Sequence, residues 1–116
     1  SLFRADPLQP VEIVPANGIP LGILPLDYTA VCVDPVQLMP GGWIAIISDG
    51  IYEAPDSDGR HFGVDRTVRI FDGASDHTLA AILQKIQFST DAWQQSRAIQ
   101  DDQTIVIVRR TRGRLA

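Results

Sequence analysis

Trp43-Ile44-Ala45-Ile46-Ile47-Ser48-Asp49-Gly50, taken with Gln100-Asp101-Asp102-Gln103-Thr104-Ile105-Val106-Ile107-Val108, decides how this chain folds. Each stretch is an apolar run of strand length, rich in β-branched residues, with a carboxylate at one end. The acid follows the first run and precedes the second. Laid antiparallel in one sheet, the two runs bring Asp49 and Asp101 out at the same edge. Two carboxylates meeting at the end of a buried sheet are costly unless a cation sits between them. The pattern therefore points to a site for a hard metal ion.

Working outward, the run over 43–48 is almost continuously apolar, which predicts burial on both faces of its sheet. Pro40-Gly41 places proline and glycine where a type II turn wants them. Residues 28–38 read as a strand leading into that turn, interrupted by Pro35. A short strand is expected over 11–14, preceded by a polar, extended stretch over 1–10. The glycines and prolines between 15 and 25 force turns. Downstream, 54–61 is a loop rich in Pro, Asp, Ser and Gly. Val64, Thr67, Val68 and Phe71 recur at helical spacing, and Gly73 is placed to stop that helix. Ser75 or Asp76 can cap the next helix, in which Leu79, Ile82, Leu83 and Ile86 form one apolar face. A short third turn is expected around 91–96, and 103–110 is the last strand. Strands, then helices, then a strand indicate an α+β fold, an antiparallel sheet covered by helices on one face. A sheet apolar on both faces needs a second cover. That layer is expected from residues upstream of Ser1, which resembles a domain start rather than a native start, or from a second copy of the chain.

With 116 residues the chain suffices for one domain with one core. Its 45% hydrophobic and 21% charged residues are those of a soluble globular domain. A net charge of −4 gives no general attraction to nucleic acid or to anionic membrane, and the apolar runs are too short to span a bilayer. No signal peptide is visible. Cys32 is the single cysteine, which excludes an intramolecular disulfide and a cysteine-rich zinc site. It fits a reducing compartment, so a cytoplasmic location is expected. Within Ala30-Val31-Cys32-Val33 it reads as an inert core residue.

Four segments, in order, resemble the C-terminal half of a metal-dependent protein serine/threonine phosphatase of the PPM (type 2C) family. Asn17-Gly18-Ile19-Pro20-Leu21-Gly22-Ile23 resembles that family's glycine-proline-leucine-glycine turn. Met39-Pro40-Gly41-Gly42-Trp43, running into Ile47-Ser48-Asp49-Gly50-Ile51-Tyr52-Glu53-Ala54, resembles its strand ending in Ser/Thr-Asp-Gly and followed by Glu-Ala. Phe62-Gly63-Val64-Asp65-Arg66 resembles its Phe-Gly-x-Glu-Arg helix start. Asp101-Asp102-Gln103-Thr104, ahead of a valine-rich strand with a basic end, resembles its closing Asp-Asp-x-Thr. The bacterial branch typified by the stage II sporulation protein E phosphatase is the most similar one, over roughly residues 11–110.

The resemblance implies an αββα sandwich, two antiparallel sheets with helices outside, of which residues 1–116 form the C-terminal portion of one domain. It implies two Mn²⁺ or Mg²⁺ ions at one edge of that sandwich. By motif matching Asp49 and Asp101 are metal ligands. Gly50 carries over as a backbone-carbonyl contact, and Asp102 as an acid that supports a ligand rather than holding the ion. The family's early aspartates, in a first strand and an Asp-x-x-Gly-x-Gly segment, would lie upstream of Ser1. Gly42 stands where relatives usually carry Asp or Glu, and Gln103 where they carry an aliphatic residue.

Phosphomonoester hydrolysis at neutral pH needs a nucleophile and charge neutralisation, and two hard cations supply both by activating a water and clamping phosphate oxygens. Such ions take carboxylate and water oxygens, which suits a chain with no Cys/His cluster. No other catalytic residue stands out. Read alone, Asp49-Gly50 is also a common turn pair, and Asp101 could be a solvated loop acid. His61 in its loop and His77 at a helix start are expected at the surface. Ser48 lacks the Gly-x-Ser-x-Gly surroundings of a serine hydrolase. Trp43 and Trp93 read as packing residues, and Arg109-Arg110-Thr111-Arg112-Gly113-Arg114 as a solvated basic end.

The resemblance implies a phosphatase acting on phosphoserine or phosphothreonine in a regulatory protein such as an anti-sigma-factor antagonist, downstream of a sensory or receiver domain. Neither a nucleic-acid nor a membrane partner is expected. A rival reading is a degenerate or truncated phosphatase fold that serves as a non-catalytic binding or dimerisation module, with a homodimer as its product. A metal-dependent nuclease is the third, and the acidic balance speaks against it.

Overall fold

A computed structural model describes residues 2–4, 6–14, 36–74, 77–95 and 101–113. The glycine-proline turn at 17–22, Cys32 and most of the strand expected over 28–38 lie outside these residues. In chain order the elements are β1 (Leu2–Arg4), β2 (Glu12–Ile13), β3 (Trp43–Ile47), α1 (Asp49–Tyr52), α2 (Val64–Asp72), α3 (Leu79–Gln94) and β4 (Ile105–Arg109). The four strands form one sheet in the order β2-β1-β3-β4, with antiparallel neighbours. The fold is α+β, as the element order implies.

β3 and β4 pair from Trp43 opposite Arg109 to Ile47 opposite Ile105. The two decisive stretches are therefore antiparallel neighbours. The other neighbour of β3 is β1 rather than a strand over 28–38, and residues 36–39 carry no regular structure. Among the described residues of the polar opening stretch, Leu2–Arg4 join the sheet, and their pairing with β3 makes them a strand. The Arg4 guanidinium, buried, forms an ion pair with Asp72 at the end of α2 and ties β1 to the helical layer. Pro40-Gly41 makes the expected turn: the Gly42 amide donates to the Met39 carbonyl at 2.7 Å, and Gly41 has a φ of +86° that favours glycine.

Alternation sorts the strand residues by face. Trp43 and Ala45 are buried and, with Ile47, Ile105 and Ile107 partly buried, face the helices. There they meet Ile51, Phe62, Ile70, Phe71, Ile82 and Ile86, with Trp43 stacked on Phe71 at 4.6 Å between ring centres. On the opposite face Ile46, Val106 and Val108 are about half exposed. Both faces are apolar, but among the described residues helices cover only one.

Helix α2 starts after Gly63, whose φ of +88° few other residues adopt, and ends at Gly73 as its spacing predicts. For helix α3, the expected caps Ser75 and Asp76 lie outside the described residues. Thr78 caps it, its Oγ1 accepting the Ala81 amide at 3.2 Å. The third turn expected around 91–96 is the continuation of α3 to Gln94. Ile82 and Ile86 lie in the core, but Leu83, at the edge of the apolar stripe, is exposed.

The basic end is more engaged than its composition implies. Arg109 donates to the His77 carbonyl at 2.8 Å and Arg110 to the Leu38 carbonyl at 2.7 Å. Among the described residues no helix is long and apolar enough to cross a membrane.

Candidate metal centre

The β3–β4 register continues past the paired strands. The Ser48 amide donates to the Thr104 carbonyl at 2.9 Å. The Ser48 hydroxyl accepts the Thr104 amide at 2.8 Å and donates to the Asp102 carbonyl at 3.2 Å. Ser48 is thus a clamp between the strand exit and the strand entry, not a nucleophile. Immediately after it the chain turns into α1, a single turn that starts with Asp49 and buries Gly50 and Ile51. Gly50 presses against the facing segment. A Cβ built there would collide with the Asp102 carbonyl, at 2.9 Å from its carbon, and would lie 3.3 Å from the Asp101 carbonyl oxygen. Only a glycine permits this approach.

Asp49 and Asp101 are consequently brought to one edge of the sheet, each exposed, on backbone segments in direct contact. Asp101 Oδ1 accepts the Asp102 amide at 2.8 Å, which orients its carboxylate. The Gly50 carbonyl accepts Gln103 Nε2 at 3.2 Å. Gln103, in place of an aliphatic residue, thereby ties the start of the last strand segment to α1. Asp102 is exposed, and its backbone carbonyl faces Ser48 and Gly50.

These residues suit a hard divalent ion: exposed carboxylate oxygens with a spare backbone lone pair nearby, and no thiolate or imidazole among them. Among the described residues no group of three or more His, Cys, Asp or Glu side chains converges at metal-binding spacing. The edge therefore offers part of a coordination shell.

The neighbouring wall is a loop, 54–61, held by Asp56. That carboxylate is buried and accepts the amides of Asp58 at 2.9 Å and Arg60 at 2.8 Å, and the Arg60 Nε at 2.8 Å. Burial pushes its pKa up, but the two amides and the Arg60 guanidinium outweigh burial and hold it below the ordinary value. Trp93 anchors the same loop, its Nε1 donating to the Arg60 carbonyl at 3.1 Å, its ring edge-on to Phe62 and covered by the Arg66 guanidinium at 4.1 Å. Both tryptophans are packing residues here. His61 and His77 are exposed. A cleft beside Asp101 and Gly50 is lined by Glu53, His61 and Gln94 as well. Sequence reasoning met Glu53 only as part of the Glu-Ala pair after Asp49-Gly50, and passed over Gln94, which belongs to no apolar run or acid pair.

The antiparallel sheet with helices on one face is compatible with an α+β fold, and the Ser-Asp-Gly turn lies against the Asp-Asp segment at its edge. The family model described as stage II sporulation protein E (SpoIIE) matches residues 2–111, and the chain belongs to that family. No curated protein and no solved structure matches it significantly.

Proposed function

We propose that this chain is the C-terminal part of a Mn²⁺- or Mg²⁺-dependent protein serine/threonine phosphatase domain that dephosphorylates a regulatory phosphoprotein. The observation that supports this reading is that the backbone segments bearing Asp49 and Asp101, the end of one core strand and the lead-in to its neighbour, meet at a glycine that admits no side chain. Two divalent ions, when bound, would supply Lewis acidity toward water and phosphate oxygens. Asp49 and Asp101 would hold them, Gly50 would keep the two acid-bearing segments in contact, and Asp102 would orient Asp101 through its amide. The remaining ligands would come from the family's early aspartates, upstream in the same domain. A regulatory phosphoprotein of the anti-sigma-antagonist kind, and an upstream sensory or receiver domain, are the partners that family membership favours.

The test is Asp49→Asn in the full-length protein. It keeps the shape of the turn and removes the charge. Mn²⁺-dependent hydrolysis of a phosphoserine protein is expected to fall by about a hundredfold or more, a loss of roughly 3 kcal/mol of transition-state stabilisation. Unchanged turnover would sink the site assignment.

The half-exposed row of Ile46, Val106 and Val108 favours a second reading, a non-catalytic dimerisation module. A stable dimer that binds Mn²⁺ without turning over any phosphomonoester would select it.

A further inference from the structure

The end of the sheet opposite the acid-bearing edge is basic. Trp43 starts β3 there, with Arg4 beside it on β1 and Arg109 beside it on β4. Partners in register share a face of the sheet, so both arginines lie with Trp43 on the helix-covered side. Each reaches the connection between α2 and α3. Arg4 pairs with Asp72, and Arg109 Nη1 donates to the His77 carbonyl at 2.8 Å. Arg110 and Arg112 stand at the same end, Arg110 on the Leu38 carbonyl and Arg112 against Gly41. The hydrogen bonding of Arg109 is incomplete. Its Nε and Nη2 are buried, and neither has a hydrogen-bond partner among the described residues. Arg4, its side chain 8% exposed, holds a buried Nε in the same condition. No described acid forms an ion pair with Arg109: Asp72 is engaged by Arg4, and Asp6 accepts the Leu8 amide.

A guanidinium does not shed its proton at any ordinary pH, so a buried, unpaired edge of one is costly until an anion meets it. Nε and Nη2 form one side of the planar group, and their N–H bonds run parallel. That is the fork that takes both oxygens of a carboxylate at once. Charge selects among the oxyanions. One carboxylate cancels the single unbalanced charge of Arg109, whereas a phosphate dianion would bring a surplus negative charge close to Asp72. We propose that the Trp43 end of the sheet is a binding site for a small carboxylate anion, seated on the Nε–Nη2 side of Arg109. The site is separate from the acid-bearing edge, because the five-residue strands β3 and β4 lie between them, about 17 Å at the strand rise of roughly 3.4 Å per residue. It does not depend on the phosphatase reading. A carboxylate bound there completes an anchor for the α2–α3 connection. The same guanidinium holds the His77 carbonyl through Nη1, one residue before the Thr78 cap of α3.

The test is a thermal melt of the full-length protein at neutral pH, stripped of metal so that the acid-bearing edge repels anions. Sodium acetate replaces sodium chloride at constant ionic strength. Acetate is expected to raise the native midpoint by about 3 °C, since a ligand of the folded state stabilises it by mass action. Arg109→Lys keeps the positive charge but has no fork, and should lose the rise. Arg110→Lys, altered at the same end of the sheet, should keep it. The difference between native protein and Arg109→Lys should be smaller when phosphate replaces acetate. An equal response to acetate in native protein and Arg109→Lys overturns the site. So does a native protein that does not respond to acetate, because Arg109 then takes its carboxylate from the protein itself or takes none. A second readout does not depend on the variant folding. In nitrogen-15 side-chain spectra of native protein, one slowly exchanging arginine Nε–H signal should shift saturably with acetate and not with chloride; spectra that acetate leaves unaltered overturn the proposal.

Discussion

Gly50 couples chemistry to packing within one residue. Its α-carbon lies so close to the Asp101–Asp102 backbone that a methyl group has no room, and the obstruction is backbone rather than a yielding side chain. Gly50→Ala must push α1 away from the facing segment or distort the turn after Ser48. Overpacking of this kind costs about 1–3 kcal/mol. A thermal melt should therefore show a drop of several degrees, and Mn²⁺ affinity should fall because Asp49 and Asp101 separate. An unchanged melt together with unchanged Mn²⁺ binding would show that the two segments do not need this contact. The two aspartates were legible in the sequence because each terminates an apolar run, and run order sets which edge it reaches. Gly50's close approach was not, since Asp-Gly is also an ordinary turn pair and only the β3–β4 register puts Asp102 opposite it. Gln94 was equally hidden: it reaches the cleft from the end of α3, an address that no local pattern encodes.

Among the elements, the loop over 54–61 is organised by one carboxylate. Asp56 accepts two amides and one guanidinium nitrogen, so its ionised form is favoured in the folded protein and its pKa lies below the ordinary 3.8. A depressed carboxylate contributes stability that is fully present above the unfolded-state value and is lost as pH falls through the folded-state value. The loop is therefore expected to hold at neutral pH and to open only in acid, below the ordinary carboxylate range. Trp93 reports on it, because its indole N–H donates to the Arg60 carbonyl at the loop's end. Native protein should show a tryptophan fluorescence step on acidification. Asp56→Asn, which cannot take a charge, should show the opened signal already at neutral pH and no such step; a titration superimposable on the native one would refute the role. Longer elements announced themselves better than this loop. Helix α2 was legible from its apolar spacing and Gly73, and α3 from its stripe. The single turn α1 and the three-residue β1 are too short to carry a periodicity, and it is their tertiary neighbours that stabilise them.

At the scale of the whole molecule, one sheet has two apolar faces and, among the described residues, helices for only one. Ile44 lies opposite Val108 and Ile46 opposite Val106, so the uncovered side chains form a continuous patch. Burying such a patch yields about 25 cal/mol per Å², and the sandwich of the PPM fold places a second sheet on such a face. Charges introduced here should then act with opposite sign in two settings. In the full-length protein, Ile46→Asp and Val106→Asp would bury unpaired carboxylates between sheets. Each should destabilise by about 3–5 kcal/mol, in the upper tail of single-site effects, which a denaturant melt would register as a lower midpoint. In the 116-residue chain alone, the same substitutions should leave the melt nearly untouched and reduce self-association, which sedimentation velocity would detect. Full-length variants that melt like native protein would show that no second sheet covers this face. Should the native full-length protein then sediment as a dimer that the substitutions split, the cover is a second copy of the chain, and the dimerisation reading replaces the sandwich.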